Sequence, residues 1–149
     1  LFFVDNKGEE WIEEMRSLIN EKQKPVAYFW WHQRPVGTET TLTCLRKELD
    51  DIGFFPIFAR THNRCYLFTV IDFIVDPVEN LDELQQRWKS YYLGEWASKK
   101  EIKKKVKEWE EEGKVPKILF LVSSVTEIDC SKEIFEYCGI RAHIFPIRL

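Results

Sequence analysis

The sequence predicts an α+β domain, in which a small mixed or closed sheet is wrapped by helices. Helical and strand periodicities alternate along the chain in the order α, β, α, β, β, α, α, β, α, β. The strands are few and long, and helices of unequal length separate them. No Gly-rich phosphate loop follows any strand, which argues against a Rossmann or P-loop arrangement. The 149 residues suit a single domain spanning 1–149. A start at Leu1 without Met, and an end that reads as a strand, suggest a domain cut from a longer chain.

Trp11, Met15, Leu18 and Ile19 recur at one face of a 3.6-residue period, which predicts a helix over Glu9–Lys22. Lys24-Pro25 ends it. Val26–Trp31 (VAYFWW) is nearly all apolar and reads as a strand buried on both faces. After a polar turn from His32 to Gly37, Leu42, Leu45, Leu49 and Ile52 mark a helix over Thr40–Ile52, with Gly53 as its left-handed cap. Phe54–Arg60 and Cys65–Val75 form a hairpin across Thr61–Arg64, and Asp76-Pro77 stops the second strand. Two capping-box pairs follow, Asn80 with Glu83 and Ser98 with Glu101. They open helices over Leu81–Tyr92 and Lys99–Glu112, the latter closed by Gly113. Lys117–Val125 is a buried strand. Ser131–Tyr137 is a short helix closed by Gly139, and Ala142–Leu149 is a last strand.

Composition removes several classes. No apolar run approaches the roughly 20 residues that span a bilayer, and no signal peptide opens the chain. The net charge of −3 excludes a uniformly basic nucleic-acid coat, though not a local basic face. The four cysteines, Cys44, Cys65, Cys130 and Cys138, include no C-x-x-C pair. They are expected to be reduced, mostly buried thiols, which implies an intracellular, cytoplasmic setting.

Catalytic signatures are absent: no G-x-S-x-G and no glycine beside Ser123-Ser124. The one acidic constellation open to a metal-dependent nuclease is Asp72 and Asp76 with Glu127 and Asp129, and strand-end and turn carboxylates are the better explanation of it. The expectation is therefore a non-catalytic domain without cofactor or metal.

The unusual number is aromatic: 11 Phe, 5 Tyr and 6 Trp. They gather at Tyr28–Trp31, followed by Gln33, and at Trp88, Tyr91, Tyr92 and Trp96. Strand alternation sets Tyr28 and Trp30 on one face, Phe29 and Trp31 on the other. Flat rings can sandwich a nucleobase, and Gln33 could read a base edge. These seven positions, Trp30, Trp31, Gln33, Trp88, Tyr91, Tyr92 and Trp96, are the candidate base pocket. Arg34, Arg60, Arg64, Lys99 and Lys100 are the candidate phosphate contacts. Lys103, Lys104, Lys105 and Lys107 crowd the same helix as Lys99 and Lys100, interleaved with glutamates as a solvated face would be.

The run VAYFWW, the helix TTLTCLRKELDDIG, the hairpin FFPIFAR–THNR–CYLFTVIDFIVDP and the strand KILFLVSSVTEI together resemble the PUA-like superfamily, with its PUA, ASCH, EVE and YTH domains. The resemblance covers most of Val26–Leu149 and is one of pattern, with no EVE or YTH signature. It implies a small β-barrel of five to six strands that binds nucleic acid and holds a modified base in an aromatic cage. Similar domains open McrB-type subunits of modification-dependent restriction systems, ahead of a GTP-driven motor. The implied action is flipping and reading a methylated base of duplex DNA, with a PUA-like RNA-binding module as the alternative.

Overall fold

The computed structural model describes residues 2–33 and 38–130. Strand β1 (Phe2–Val4) precedes α1 (Glu9–Lys22), β2 (Val26–Trp31), α2 (Thr38–Ile52), β3 (Phe55–Arg60) and β4 (Cys65–Val75). Then come α3 (Leu81–Arg87), a 3-10 turn (Gly94–Ala97), α4 (Lys99–Glu112) and β5 (Ile118–Ile128). The expected helix at Ser131–Tyr137, its closing Gly139 and the strand at Ala142–Leu149 lie outside the described residues.

The strands form one sheet in the order β1-β3-β4-β5-β2. Every neighbouring pair is antiparallel except β1 with β3, which is parallel. The α+β class is as expected. Closure into a barrel is not seen: among the described residues the sheet is open, with β1 and β2 at its edges.

Side chains alternate across this sheet into two cores. Phe73, Ile118, Phe120 and Val122 face Ile12 and Met15 of α1 and Leu45 of α2. Ile74, Leu119 and Leu121 face Leu84 of α3, Trp96 of the 3-10 turn, and Ile102 and Trp109 of α4. β2 is thus covered on both faces, although it is an edge strand. A bulge between Ala27 and Phe29 interrupts its alternation. Tyr28 consequently packs on the α1 side with Phe29 and Trp31, and its hydroxyl donates to Glu14 at 2.8 Å. Burial and that carboxylate push the Tyr28 phenol well above its ordinary pKa.

Local signals explain most boundaries. Ser98 Oγ accepts from the Glu101 N–H at 3.2 Å and caps α4, and Gly113 ends it in the left-handed region at φ 68°. The Asn80 capping box is not made. Asn80 Nδ2 donates instead to the carbonyls of Val75 and Asp76, so the side chain ties the end of β4 to α3. The helix expected over Leu81–Tyr92 stops at Arg87, and Trp96, expected in a loop, lies in the 3-10 turn.

Two connections were not expected. β1 is only three residues long, too short to show any period. Cys65 and Cys130 form a disulfide, correcting the reduced-thiol expectation. Its cause is the ladder: Cys65 pairs with Ile128, two residues before Cys130. Such bonds persist in oxidising compartments and in hyperthermophile cytosols, so the cysteines no longer argue for a reducing cytoplasm. Among the described residues, no helix is long and apolar enough to cross a membrane.

Beyond Val70, β4 continues without β3 beside it. Register shifts flank Val70 and Asp72, a bulge that re-aims Asp72. Asp72 accepts from Arg46 of α2 at 3.1 Å, Arg87 of α3 at 2.6 and 2.9 Å, Trp88 Nε1 at 2.7 Å and the Phe73 N–H at 2.8 Å. Arg46 and Arg87 also each donate to the Phe73 carbonyl at 3.1 Å. Two guanidinium groups thus occupy the place a neighbouring strand would take. Arg46 lies 4.2 Å above the Phe73 ring centroid. Burial pushes the Asp72 carboxyl up, but the Arg87 and Trp88 hydrogen bonds outweigh it and hold it below the ordinary carboxylate range.

Candidate nucleic-acid interface

The expected pocket rings divide into two groups. Trp88 is 1% exposed and Trp96 0%. Trp88 is fixed by its indole bond to Asp72, and Trp96 stacks on Trp109 at 5.7 Å and 23°. Both are core in this structure, which removes them from any surface that a base can reach. Trp96 Nε1 is buried without a hydrogen-bond partner among the described residues. Tyr91 is half-buried against the same core. Tyr92 extends the β2 edge through backbone bonds to Ala27 and Pro25, with Lys22 Nζ 5.1 Å from its ring centroid.

The second group sits where β2 ends. Trp30 and Trp31 are both half-buried, one ring on each side of the sheet. Trp30 meets Trp109 of α4 edge-on at 5.6 Å. Trp31 meets Phe120 at 5.0 Å and Phe29 at 6.0 Å, both edge-on. His32 and Gln33 follow, both exposed. The Lys117 N–H donates to the Trp31 carbonyl at 2.7 Å, which brings the α4–β5 connection alongside. Lys114 and Lys117, neither singled out from the sequence, are exposed there and make no ion pair with the described residues. Their signal was spacing across a fold, which only the β2–β5 ladder reveals.

The expected phosphate contacts also scatter. Arg34 lies outside the described residues. Arg60 is half-buried at the end of β3. Arg64, at the opposite end of β4 from Asp72, is drawn to Glu13 at 3.6 Å and Glu127 at 3.9 Å, and its hydrogen bond to Tyr66 and the nearby Glu127 charge raise its pKa. Lys99 pairs with Asp82 at 2.5 Å, whereas Lys100 is exposed and has no ion-pair partner among the described residues.

The acidic constellation does not converge. Asp72 pairs with Leu121 while Glu127 pairs with Tyr66, a separation of about 20 Å along the strand at ~3.4 Å per residue. Among the described residues no group of three or more His, Cys, Asp or Glu side chains is placed to hold a metal ion. Compared with protein-family models, curated proteins and solved structures, the chain matches none.

Proposed function

We propose that this chain is a nucleic-acid-binding domain of PUA-like kind, which lays a base against the rings at the end of β2. The observation that carries the reading is the company these rings keep. Trp30 and Trp31 flank one strand end, with exposed Gln33 beyond them and, alongside, Lys114 and Lys117, exposed and without an ion-pair partner among the described residues. Rings supply stacking, lysines supply phosphate attraction, and an amide supplies base-edge hydrogen bonds. The finer form of the proposal is a barrel-like reader of methylated duplex DNA that guides a restriction complex. It narrows the pocket to the strand end, where Gln33 follows Trp30 on one face and Trp31 on the other; Tyr92, with Tyr91 beside it, bonds to the start of β2, about 16 Å away along the strand. A methyl group buried against such rings is worth ~0.8 kcal/mol over the unmodified base.

Fluorescence polarisation with methylated duplex, unmethylated duplex, single-stranded DNA and structured RNA tests it. Binding that weakens by about 5- to 150-fold in Trp31→Ala, the equivalent of ~1–3 kcal/mol of stacking, is the expected result. Preference for the methylated duplex supports the finer form, and preference for RNA favours the RNA-binding module. Negligible binding to all four overturns the proposal.

A further inference from the structure

We infer that the outer ridge of α4 is a phosphate-tracking surface for a nucleic-acid strand. The inference rests on the reading above that the partner is a nucleic acid, and it assigns a second contact, on the side of α4 opposite Trp109, the ring that Trp30 meets. Lys100, Lys103, Lys104 and Lys107 fall at i, i+3, i+4 and i+7 of one helix, so they share a single stripe. The stripe lies opposite Ile102 and Trp109, which are buried in the core at 2% and 9% exposure. All four lysines are exposed and make no ion pair with the described residues. Their neighbours differ: Lys99 pairs with Asp82, and Lys105 with Glu95. The helix thus neutralises the cations on its flanks and leaves its crest charged.

The shape of the crest selects the partner. Four cations over seven residues occupy about 10 Å at ~1.5 Å per residue. A nucleic-acid strand carries a charge at every nucleotide, so a row of this length meets more than one phosphate at once. Glu101, Glu108 and Glu112, spaced at i, i+7 and i+11, line one flank, and Glu111 lies at the end of the crest. A flat anionic membrane would be brought against these carboxylates, whereas a line of phosphates passes along the lysines. α4 also offers a membrane no apolar surface, because Ile102 and Trp109 are spent in the core.

The test measures salt dependence. Affinity of the chain for an unmodified 20-base-pair duplex is followed from roughly 50 to 300 mM NaCl by fluorescence anisotropy. Each phosphate contact contributes about 0.9 to the slope of log K against log salt on duplex DNA. The variant K103Q/K104Q/K107Q is expected to lower the slope by about 2–3 and to weaken binding at least tenfold at the low-salt end. Lysine-to-arginine changes at the same positions should preserve both. Circular dichroism checks that α4 persists. An unchanged slope in the glutamine variant overturns the ridge, and so does lysine-dependent binding to phosphatidylserine vesicles without binding to the duplex. If Trp31→Ala weakens binding while the slope ignores the lysines, the ridge alone falls. If the slope depends on the lysines and Trp31→Ala is inert, the base-stacking reading alone falls.

Discussion

Replacing Cys130 with serine deletes the Cys65–Cys130 bond at its exposed end and leaves the buried Cys65 side chain in place. Cys130 itself is exposed, so the effect is chiefly that of the cross-link. The bond joins residues 65 apart in sequence, and closing a loop of that length in the unfolded chain is worth about 4 kcal/mol by chain entropy. For 149 residues this is a drop in Tm of roughly 10–14 °C, at about 2.1 cal/mol/K of unfolding entropy per residue. Calorimetry of the oxidised chain, the reduced chain and Cys130→Ser measures it. The reduced chain and the variant should coincide. Urea unfolding should also show a steeper m-value without the bond, because a chain freed of its loop exposes more surface. A Tm change below about 4 °C, with m unchanged, would refute the argument, since it would mean that the β4–β5 ladder holds the unfolded chain as closely as the bond does.

Asp72→Asn should cost about 2 kcal/mol near neutral pH, because the carboxylate's charge-assisted bonds to two half-exposed arginines are lost. The pH dependence has a definite sign. Asp72 titrates below its ordinary range when folded, so its contribution is whole above about pH 3.9 and disappears as pH falls through the lower folded value. The gap between wild type and variant in urea midpoints should therefore narrow progressively as pH falls below about 3.9, and a gap that does not narrow contradicts the assignment. Trp88→Phe and Trp96→Phe remove the same atoms from one core, but Trp88 loses a bond to a carboxylate and Trp96 loses an orphaned N–H. Trp88→Phe should be the more destabilising by at least ~2 kcal/mol in chemical denaturation, and equal costs would contradict this account of the two indoles.

Much of the fold is legible in residue spacing. The stripe Trp11, Met15, Leu18, Ile19 marks α1, Ser98 and Gly113 bracket α4, and the Thr61–Arg64 turn joins β3 to β4. What is illegible depends on register. The disulfide follows from Cys65 lying opposite Ile128, and the Asp72 cluster follows from a bulge in β4. Neither leaves a local pattern. The candidate site shows the same division. The lysines of α4 can be placed on one stripe by counting, since a helix converts spacing directly into a face. The rings cannot, because an indole at a helix end carries the same letter whether it faces solvent, as a cage requires, or lies in the core as Trp88 does. Trp30 and Trp31 are half-buried on β2, which borders the sheet among the described residues, a property of sheet order and not of VAYFWW.

The arginine cover on β4 has a consequence for association. From Asp72 to Val75 the backbone is paired by β5 on one side, and on the other, among the described residues, the Phe73 carbonyl meets the guanidinium groups of Arg46 and Arg87, both anchored on Asp72. An edge closed by a strand opens only when the sheet melts, whereas this cover loosens when one carboxyl takes up a proton and two guanidinium groups lose their shared anchor. In acid the folded chain would then expose a short strand edge more readily, a template for intermolecular pairing. Self-association in acid would then begin from folded molecules, ahead of global unfolding, at a point set by Asp72.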